Sequence, residues 1–450
     1  MNKIDLTKGN ILHNLIKFAI PYLISCFLQT FYGLADLFIV GQYNNADMIT
    51  AVSIGSQVMH MVTVIIVGFA MGTTVLVSRY VGAKDSKRVR RTIGNSAVVF
   101  VVFAFIVTCG TLLFVNQIIG VLEVPDAAIS GTKSYLTICF AGIIFITAYN
   151  VLCSVLRGLG DSKTPMYFVA GAGVLNIGLD YVLVGYAGMG ATGAAAATVI
   201  SQAVSVIMAL IYSFMRIPEI RLRRIDLKYD KKIYGELLRI GIPVALQDGF
   251  IQIAFLVITV IANMRGLEAA AAVGIVEKLI SFMFLVPSAM LSAVSTITAA
   301  NIGSGTHERG KKTLWYGISI CILVGVFFTI ICNIFSEEII RIFAREEGIV
   351  IIMGGQYLRA YVFDCIVAGI HFCFSGYFCA YGRSWISFVH NVISIVIVRI
   401  PGAYLAWKMY PDTLYPMGLA APLGSALSAV ICVICYIVIL RTGKHRRLEE

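Results

Sequence analysis

The chain has 450 residues, of which 59% are hydrophobic and 13% are charged, and its formal net charge is +11. Soluble globular proteins are about 45–50% apolar and about 25% charged, so a water-soluble fold of this composition would expose apolar patches larger than such proteins tolerate. The composition excludes an ordinary soluble enzyme, a nucleic-acid-binding protein and a disordered chain. It predicts a polytopic membrane protein whose main surroundings are the lipid bilayer.

Long apolar segments recur along the whole chain. A helix needs about 20 apolar residues to cross the bilayer core, and twelve segments meet this requirement. Their length and continuous hydrophobicity favour helices over the short alternating strands of a membrane barrel. The sequence therefore predicts an all-α membrane protein with twelve transmembrane helices. The predicted spans are 15–40, 51–78, 93–116, 134–156, 164–186, 191–215, 236–262, 271–300, 314–335, 355–381, 385–408 and 418–440.

The two halves of the chain carry related motifs. The A-I-P sequence at 19–21 recurs as G-I-P at 241–243, and G-x-S at 160–162 recurs as G-x-S at 382–384. Each half has six spans, so both are expected to insert with the same orientation. Two six-helix bundles related by a pseudo-two-fold axis along the membrane normal would place a substrate path between them. The predicted units are an amino-terminal lobe (1–215), a basic cytoplasmic linker (216–235) and a carboxy-terminal lobe (236–450).

Basic residues are unevenly distributed between the two sides of this topology. Of the 35 Lys and Arg residues, 26 lie on the side of the two termini, 6 on the opposite side and 3 within spans. Cytoplasmic loops of membrane proteins carry an excess of Lys and Arg. The distribution therefore predicts a multi-pass protein with both termini in the cytoplasm.

Two aspartates lie inside predicted spans of the first half. Asp36 is surrounded by Leu, Phe, Ile and Val in the first span, and Asp180 follows Asn176 by four residues in the fifth, so these two share a helical face. An ionisable residue in hydrocarbon is costly and is a functional candidate by default. Structural roles remain open: Asp36 could cap a kink, Asp180 could face water at a helix end, and Asn176 could make a packing hydrogen bond.

The sixth span adds polar atoms next to many small residues, which allow neighbouring helices to approach closely. Two carboxylates, an amide and a hydroxyl form an all-oxygen set of the kind that a hard cation prefers. The same carboxylates could instead hold protons. The polar side chains that this span offers are Thr198, Ser201 and Gln202.

Further polar residues are candidates for a substrate site or a second cation site, with internal pairing or packing as the alternative. They are Gln29, Asp248, Glu277 and Asp364. Three histidines lie one per span without metal-ligand spacing and are interpreted as interior packing residues. They are His60, His371 and His390.

Several motifs have ordinary structural explanations. The segment 158–165 (GLGDSKTP) lacks the spacing and the preceding strand of a phosphate-binding loop, and it lies between two spans. The C-x-x-C at 432–435 lies inside an apolar segment, where a redox role is not expected. No nucleotide-binding domain is evident, so uphill transport would need an ion gradient. A membrane-embedded enzyme would need a catalytic motif such as H-E-x-x-H, and none is present.

Along its full length the chain resembles the multidrug and toxic compound extrusion (MATE) transporters, most closely the bacterial DinF-like and MepA-like branch. The resemblance rests on the two six-span halves, the LRGLGDSKTP loop after span four, Asp36 in span one, the N-x-x-x-D pair in span five and the GATGAAAAT start of span six.

The resemblance implies a monomeric antiporter of the bacterial inner membrane, not an enzyme. It would exchange Na⁺ or H⁺ for cationic amphipathic compounds by rocking its two lobes, with no cofactor besides the coupling ion and no metal beyond Na⁺. It implies bending near Pro21, and it suggests that acids of the second lobe such as Asp248 and Asp364 contribute in another branch. The cation-binding residues it implies are Asp36, Asn176, Asp180 and Thr198.

A flippase for lipid-linked oligosaccharides is the alternative function from the same superfamily. Such a protein is expected to line its cavity with many basic residues that bind pyrophosphate. The predicted spans here contain several acids but few bases, which argues against this alternative. The bases within spans are Lys17, Lys278 and Arg399.

Overall fold

The computed structural model describes residues 4–344 and 348–441, and in these ranges the regular structure is entirely helical. Eleven helical segments are long and apolar enough to cross a membrane, and a bent pair makes a twelfth span. The prediction of an all-α protein with twelve spans is thus confirmed. The α-helices are α1 (Ile11–Tyr43), α2 (Ala46–Gly82), α3 (Ser86–Leu113), α4 (Val115–Val121), α5 (Asp126–Ala141), α6 (Ile143–Gly158), α7 (Lys163–Asp180), α8 (Gly190–Arg216), α9 (Lys231–Asn263), α10 (Leu267–Met283), α11 (Leu285–Gly303), α12 (His307–Ile334), α13 (Ser336–Arg341), α14 (Gly348–Tyr361), α15 (Asp364–Ala380), α16 (Ser384–Ser394), α17 (Ile400–Met409) and α18 (Tyr415–Arg441).

Several spans that the sequence predicts as single helices are interrupted. The fourth span consists of α5 and α6, which meet at Gly142 with a bend of 48°. The tenth span is likewise divided, between α14 and α15. The fifth and eleventh spans each contain a π-helical segment, Tyr181–Tyr186 after α7 and Ile395–Arg399 after α16. These interruptions occur at matching places in both halves, as a repeated architecture predicts. The eighth span is also divided, between α10 and α11, whereas its counterpart α2 is one continuous helix.

By their internal contacts, the residues form two compact units. The first comprises Met1–Asp5 and Ile20–Gly241, and the second comprises Leu6–Ala19 and Ile242–Glu450. The boundaries inside α1 and α9 fall beside Pro21 and Pro243, the prolines of the repeated motif. The first residues of α1 and of α9 therefore belong to a different unit from the rest of the same helix. The lobe limits at 215 and 236 remain a prediction.

The basic linker packs firmly against α3 within the first unit. The Asn95 side chain donates to the backbone oxygens of Asp226 and Lys228 at 3.3 and 3.2 Å and accepts from the backbone N–H of Asp230 at 3.0 Å. A side chain at Gly94 would overlap the backbone oxygen of Asp226. The linker backbone thus replaces water as the hydrogen-bonding partner of a fully buried asparagine.

In the second unit, the segment before α1 is held in a comparable way. Asn301 donates to the backbone oxygen of Leu6 at 3.1 Å, and Arg309 donates to that of Gly9 at 3.1 Å. Arg309 also donates to the Asn301 side chain at 3.1 Å. The start of α12 and the end of α11 therefore bind the amino-terminal segment through side-chain-to-backbone hydrogen bonds.

The GLGDSKTP segment is a capped connection between α6 and α7. The buried Asp161 carboxylate accepts from the backbone N–H groups of Lys163 and Thr164 at 3.1 and 3.0 Å, and from the Thr164 hydroxyl at 2.6 Å. Gly160 has a φ of +86°, and its repeat counterpart Gly382 has a φ of +67°. Only glycine adopts this left-handed conformation without a steric cost, which explains why the G-x-S motif occurs in both halves.

Candidate cation site

Three helices of the first unit bring the four implied cation ligands together. Asp36 comes from α1, Asn176 and Asp180 from α7, and Thr198 from α8. The Thr198 hydroxyl donates to Asp36 Oδ2 at 3.4 Å, and the side chains of Asp180 and Asn176 also approach the Asp36 carboxyl. The exposed fraction is 6% for Asp36, 1% for Asn176 and 0% for Asp180. Two carboxyl groups therefore share one interior position, where like charges repel strongly.

Much of the polar capacity of this cluster has no protein partner. Oδ1 of Asp36, both carboxyl oxygens of Asp180 and both polar atoms of the Asn176 amide are buried, and although these side chains lie close together, none of these atoms forms a well-oriented hydrogen bond with a described residue. Buried polar groups are normally satisfied, so each exception needs an explanation. Converging oxygen acceptors around adjacent carboxyl groups fit a hard monovalent cation or a proton. Among the described residues, no cluster of three or more His, Cys, Asp and Glu suggests a transition-metal site.

The local structure explains how α7 presents its two polar residues. Asn176 and Asp180 lie one turn apart and point to the same side, and the π-helical segment begins directly after Asp180. π-Helical turns widen the helix and are frequent at functional sites. The small residues that begin α8 are buried beside this segment, which brings the Thr198 hydroxyl close to the carboxyl pair.

The site also contains two tyrosines that sequence reasoning did not identify. The Tyr32 hydroxyl, one turn before Asp36, accepts from the Gln202 amide at 3.4 Å. Tyr135 of α5 is 2% exposed and interacts electrostatically with both Asp36 and Asp180. A Cβ at Gly55 of α2 would lie 2.9 Å from Tyr135 Cε1, so the glycine makes room for this ring. Tyrosine is common in apolar spans, and neither tyrosine has a sequence signal that distinguishes it.

The second unit contains a separate cluster of charged residues. Glu277 of α10 accepts from the Thr259 hydroxyl at 3.1 Å, and Asp364 at the start of α15 is fully buried. Arg399 ends the second π-helical segment; it donates to the Tyr361 hydroxyl and interacts electrostatically with both acids. The structure therefore places Glu277 and Asp364 around a buried guanidinium, whereas no basic side chain of the described residues interacts with Asp36 or Asp180.

The remaining candidates occupy other positions. Gln29 is half-buried on α1, two turns before Asp36. Asp248 of α9 interacts electrostatically with Cys379 and lies apart from the cluster of Glu277, Asp364 and Arg399. Ser201 donates to the Thr198 backbone oxygen at 2.8 Å, so its hydroxyl is used within α8.

Comparison with known proteins adds independent information. The MatE family model matches residues 21–182 and again residues 243–405. The chain belongs to the MatE family. Both matches begin at one of the two repeated prolines, so the family model independently detects the internal repeat. The expected resemblance to MATE transporters is confirmed, and the chain is a transporter and not an enzyme.

The relatives of this MatE chain include bacterial proteins named for multidrug resistance. It is 29% identical over 411 residues to Probable multidrug resistance protein YpnP of Bacillus subtilis, covering 90% of this chain and 91% of the relative. It is 30% identical over 404 residues to Probable multidrug resistance protein NorM of Thermotoga maritima, covering 88% and 86%. A solved multidrug resistance MATE family transporter in an outward-facing conformation matches with a TM-score of 0.91 at 20% identity, covering 99% of both chains. This chain is therefore a multi-pass membrane protein of the multidrug efflux type.

Proposed function

We propose that the protein is a secondary antiporter that exchanges Na⁺ or H⁺ for cationic amphipathic compounds by alternating access. The observation that carries this proposal is the pair of buried carboxyl groups, Asp36 and Asp180, of whose four oxygens only Asp36 Oδ2 accepts a hydrogen bond from a described residue. Such a pair needs positive charge to be stable in the interior. The amide of Asn176 and the hydroxyl of Thr198 supply further ligand atoms, so a small cation or a proton can meet this need.

Exchange follows from competition for the same negative charge. A cation at Asp36 and Asp180 removes the charge that attracts a cationic cargo, so binding of either lowers the affinity for the other. Cation entry from outside thus favours cargo release outside, and cation release to the cytoplasm restores cargo binding. An ion that crosses a potential of 100 mV supplies about 2.3 kcal/mol per charge. No step requires a nucleotide.

The flippase alternative requires basic side chains free to bind pyrophosphate. Among the described residues, the buried Lys and Arg side chains are Arg157 and Arg399, whereas Lys17 and Lys278, the other bases within the predicted spans, are exposed. Arg157 donates to the Ser154 hydroxyl at 2.8 Å and stacks on the Tyr22 ring at 5.1 Å. Arg399 donates a hydrogen bond to the Tyr361 hydroxyl and interacts electrostatically with Asp364 and Glu277. Because both arginines are engaged, Lys17 and Lys278 are the bases within the predicted spans that are left for an anionic cargo. This small number, together with the acidic site in the first unit, favours a cationic cargo.

In this proposal the protein works as a monomer in the bacterial inner membrane with both termini in the cytoplasm. The excess of Lys and Arg on the terminal side supports that orientation. Part of the excess comes from the tail after Arg441, which lies outside the described residues. The linker between α8 and α9, with its many basic residues, supports the same assignment.

Efflux of a cationic dye from proteoliposomes tests the coupling. A ΔpH and a Na⁺ gradient are imposed separately, with the membrane potential held at zero. We expect at least one gradient to drive dye movement against its own concentration difference, and we expect no accumulation when both gradients are absent. Dye accumulation that requires ATP and does not change with either the pH gradient or the Na⁺ gradient would refute secondary antiport.

A further inference from the structure

The charged cluster of the second unit has nearly the same side-chain chemistry as the candidate cation site of the first. The candidate cation site combines two carboxyl groups, a threonine hydroxyl and the amide of Asn176, which lies on the fifth span. The second cluster combines the carboxyl groups of Glu277 and Asp364 with the hydroxyl of Thr259, which donates to Glu277 Oε2 at 3.1 Å. On the eleventh span, the counterpart of the fifth in the repeat, it has the guanidinium of Arg399 in place of an amide.

Aromatic side chains hold Arg399 in this position. The arginine is 8% exposed and donates to the Tyr361 hydroxyl. Its guanidinium carbon lies 5.0 Å from the centre of the Phe255 ring and 5.7 Å from that of the Tyr361 ring, within the range of cation–π attraction. It interacts electrostatically with both acids, although among the described residues it forms no direct ion pair with either. The guanidinium is therefore a resident positive charge that the surrounding rings keep beside the acids.

Several polar atoms of the second cluster remain unused. Both carboxyl oxygens of Asp364, Oε1 of Glu277 and Nε of Arg399 are buried, and none forms a well-oriented hydrogen bond with a described residue, although the Ser425 side chain approaches Asp364. Buried carboxylates need positive charge nearby. At the candidate cation site that charge must be supplied by a bound ion or a proton. In the second cluster the guanidinium supplies it permanently, so two ionised acids and one arginine leave a single negative charge.

We propose that Arg399 takes the place of a metal cation in the second cluster, so that Glu277 and Asp364 bind no Na⁺. The inference rests on the proposed function, because it assigns any Na⁺ that the protein binds to Asp36 and Asp180. Two unit charges about 6 Å apart, at an effective dielectric constant of about 20, repel each other enough to weaken binding about 100-fold. A proton neutralises the remaining charge more readily, since it needs one carboxyl oxygen, whereas a metal cation needs several ligands at once.

The decisive variant is Arg399→Gln. It removes the resident charge and introduces an amide, so the second cluster acquires the ligand composition of the candidate cation site: two carboxyl groups, a hydroxyl and an amide. Binding of radioactive Na⁺ to the purified full-length protein is measured at a fixed alkaline pH. We expect Arg399→Gln to bind one more Na⁺ per protein than the wild type, at a site about 100-fold stronger than any residual affinity of the wild-type cluster. Arg399→Lys keeps the charge and is expected to bind as many Na⁺ ions as the wild type.

Two controls identify the added site. Arg157 is the buried arginine of the first unit; it contacts the Ser154 hydroxyl and the Tyr22 ring, and no ion pair joins it to an acid among the described residues. Arg157→Gln thus repeats the chemical change away from a carboxyl pair, and we expect it to add no Na⁺. The double variant Arg399→Gln/Asp364→Asn removes one ligand of the new site and is expected to lose the added Na⁺.

The outcomes test the wild-type cluster as well. A folded Arg399→Gln protein that binds no more Na⁺ than the wild type would overturn the inference, and so would wild-type Na⁺ binding that Asp364→Asn lowers. Should Arg399→Gln fail to fold, Asp364→Asn decides, since it leaves one acid and one arginine in balance: no wild-type Na⁺ site, or a site that Asp36→Asn alone removes, supports the inference. Antiport is tested separately by gradient-driven efflux, and its failure would leave the number of bound Na⁺ ions unaffected.

Discussion

Replacing Asp36 or Asp180 with Asn is expected to abolish coupled export and leave the protein folded. Asparagine has nearly the same shape, so packing among α1, α7 and α8 is retained. The substitution removes the charge for which cation and cargo compete, and a coupling free energy of about 1–3 kcal/mol corresponds to a loss of roughly 5- to 150-fold. Folding stability should not fall, because a buried charge without a basic partner is itself costly.

Dye efflux under an imposed gradient measures this effect, and thermal unfolding in detergent checks the fold. Asp47→Asn is a matched control, since Asp47 is exposed at the start of α2. It should export at the wild-type rate. Wild-type efflux from well-folded Asp36→Asn protein would show that Asp36 does not carry the exchanged charge.

Gly94→Val is expected to destabilise the first unit severely. A Cβ at this position would overlap the backbone oxygen of Asp226 and lie 2.8 Å from its carbonyl carbon. Backbone atoms cannot move aside as a flexible side chain can, so the linker must separate from α3 and break its hydrogen bonds with Asn95. Overpacking costs typically 1–3 kcal/mol, and the lost hydrogen bonds add about 1 kcal/mol each.

The control for this change lies on the same helix. A Cβ at Gly110 of α3 would meet nothing within 4 Å, so Gly110→Val repeats the chemical change without the collision. We expect Gly94→Val to lower the unfolding temperature and the yield of monodisperse protein, with Gly110→Val close to wild type. Equal stability of the two variants would mean that the linker does not pack against α3 as described.

Sequence reasoning identified residues that the structure brings together where the signal was local and contrasted with its surroundings; their role in cation binding remains a prediction. Asp36 stands out in an apolar segment, and the four-residue spacing of Asn176 and Asp180 defines a helical face. The repeated G-x-S motif marked a structural position, and the structure explains it by the left-handed conformation of Gly160 and Gly382. Hydrophobicity over about 20 residues located the spans well.

Features that depend on three-dimensional packing could not be obtained in this way. Hydropathy does not register the 48° bend between α5 and α6, because the residues on both sides of the bend are apolar. The ring centroids of His371 and His390 are 5.6 Å apart although the two residues lie on different helices, α15 and α16, so no local spacing indicates this contact. Tyr135 reaches the carboxyl pair from α5, and its position depends on the space left by Gly55 in α2.

Competition between cation and cargo is the central claim, and equilibrium binding measures it directly. The affinity of the purified protein for a fluorescent lipophilic cation is determined as Na⁺ is raised at fixed pH, and as pH is lowered without Na⁺. Protonation or Na⁺ binding neutralises the carboxyl pair, so we predict weaker cargo binding in at least one series and no such response in Asp36→Asn. Cargo affinity of the wild type that is independent of both Na⁺ and pH would contradict the claim.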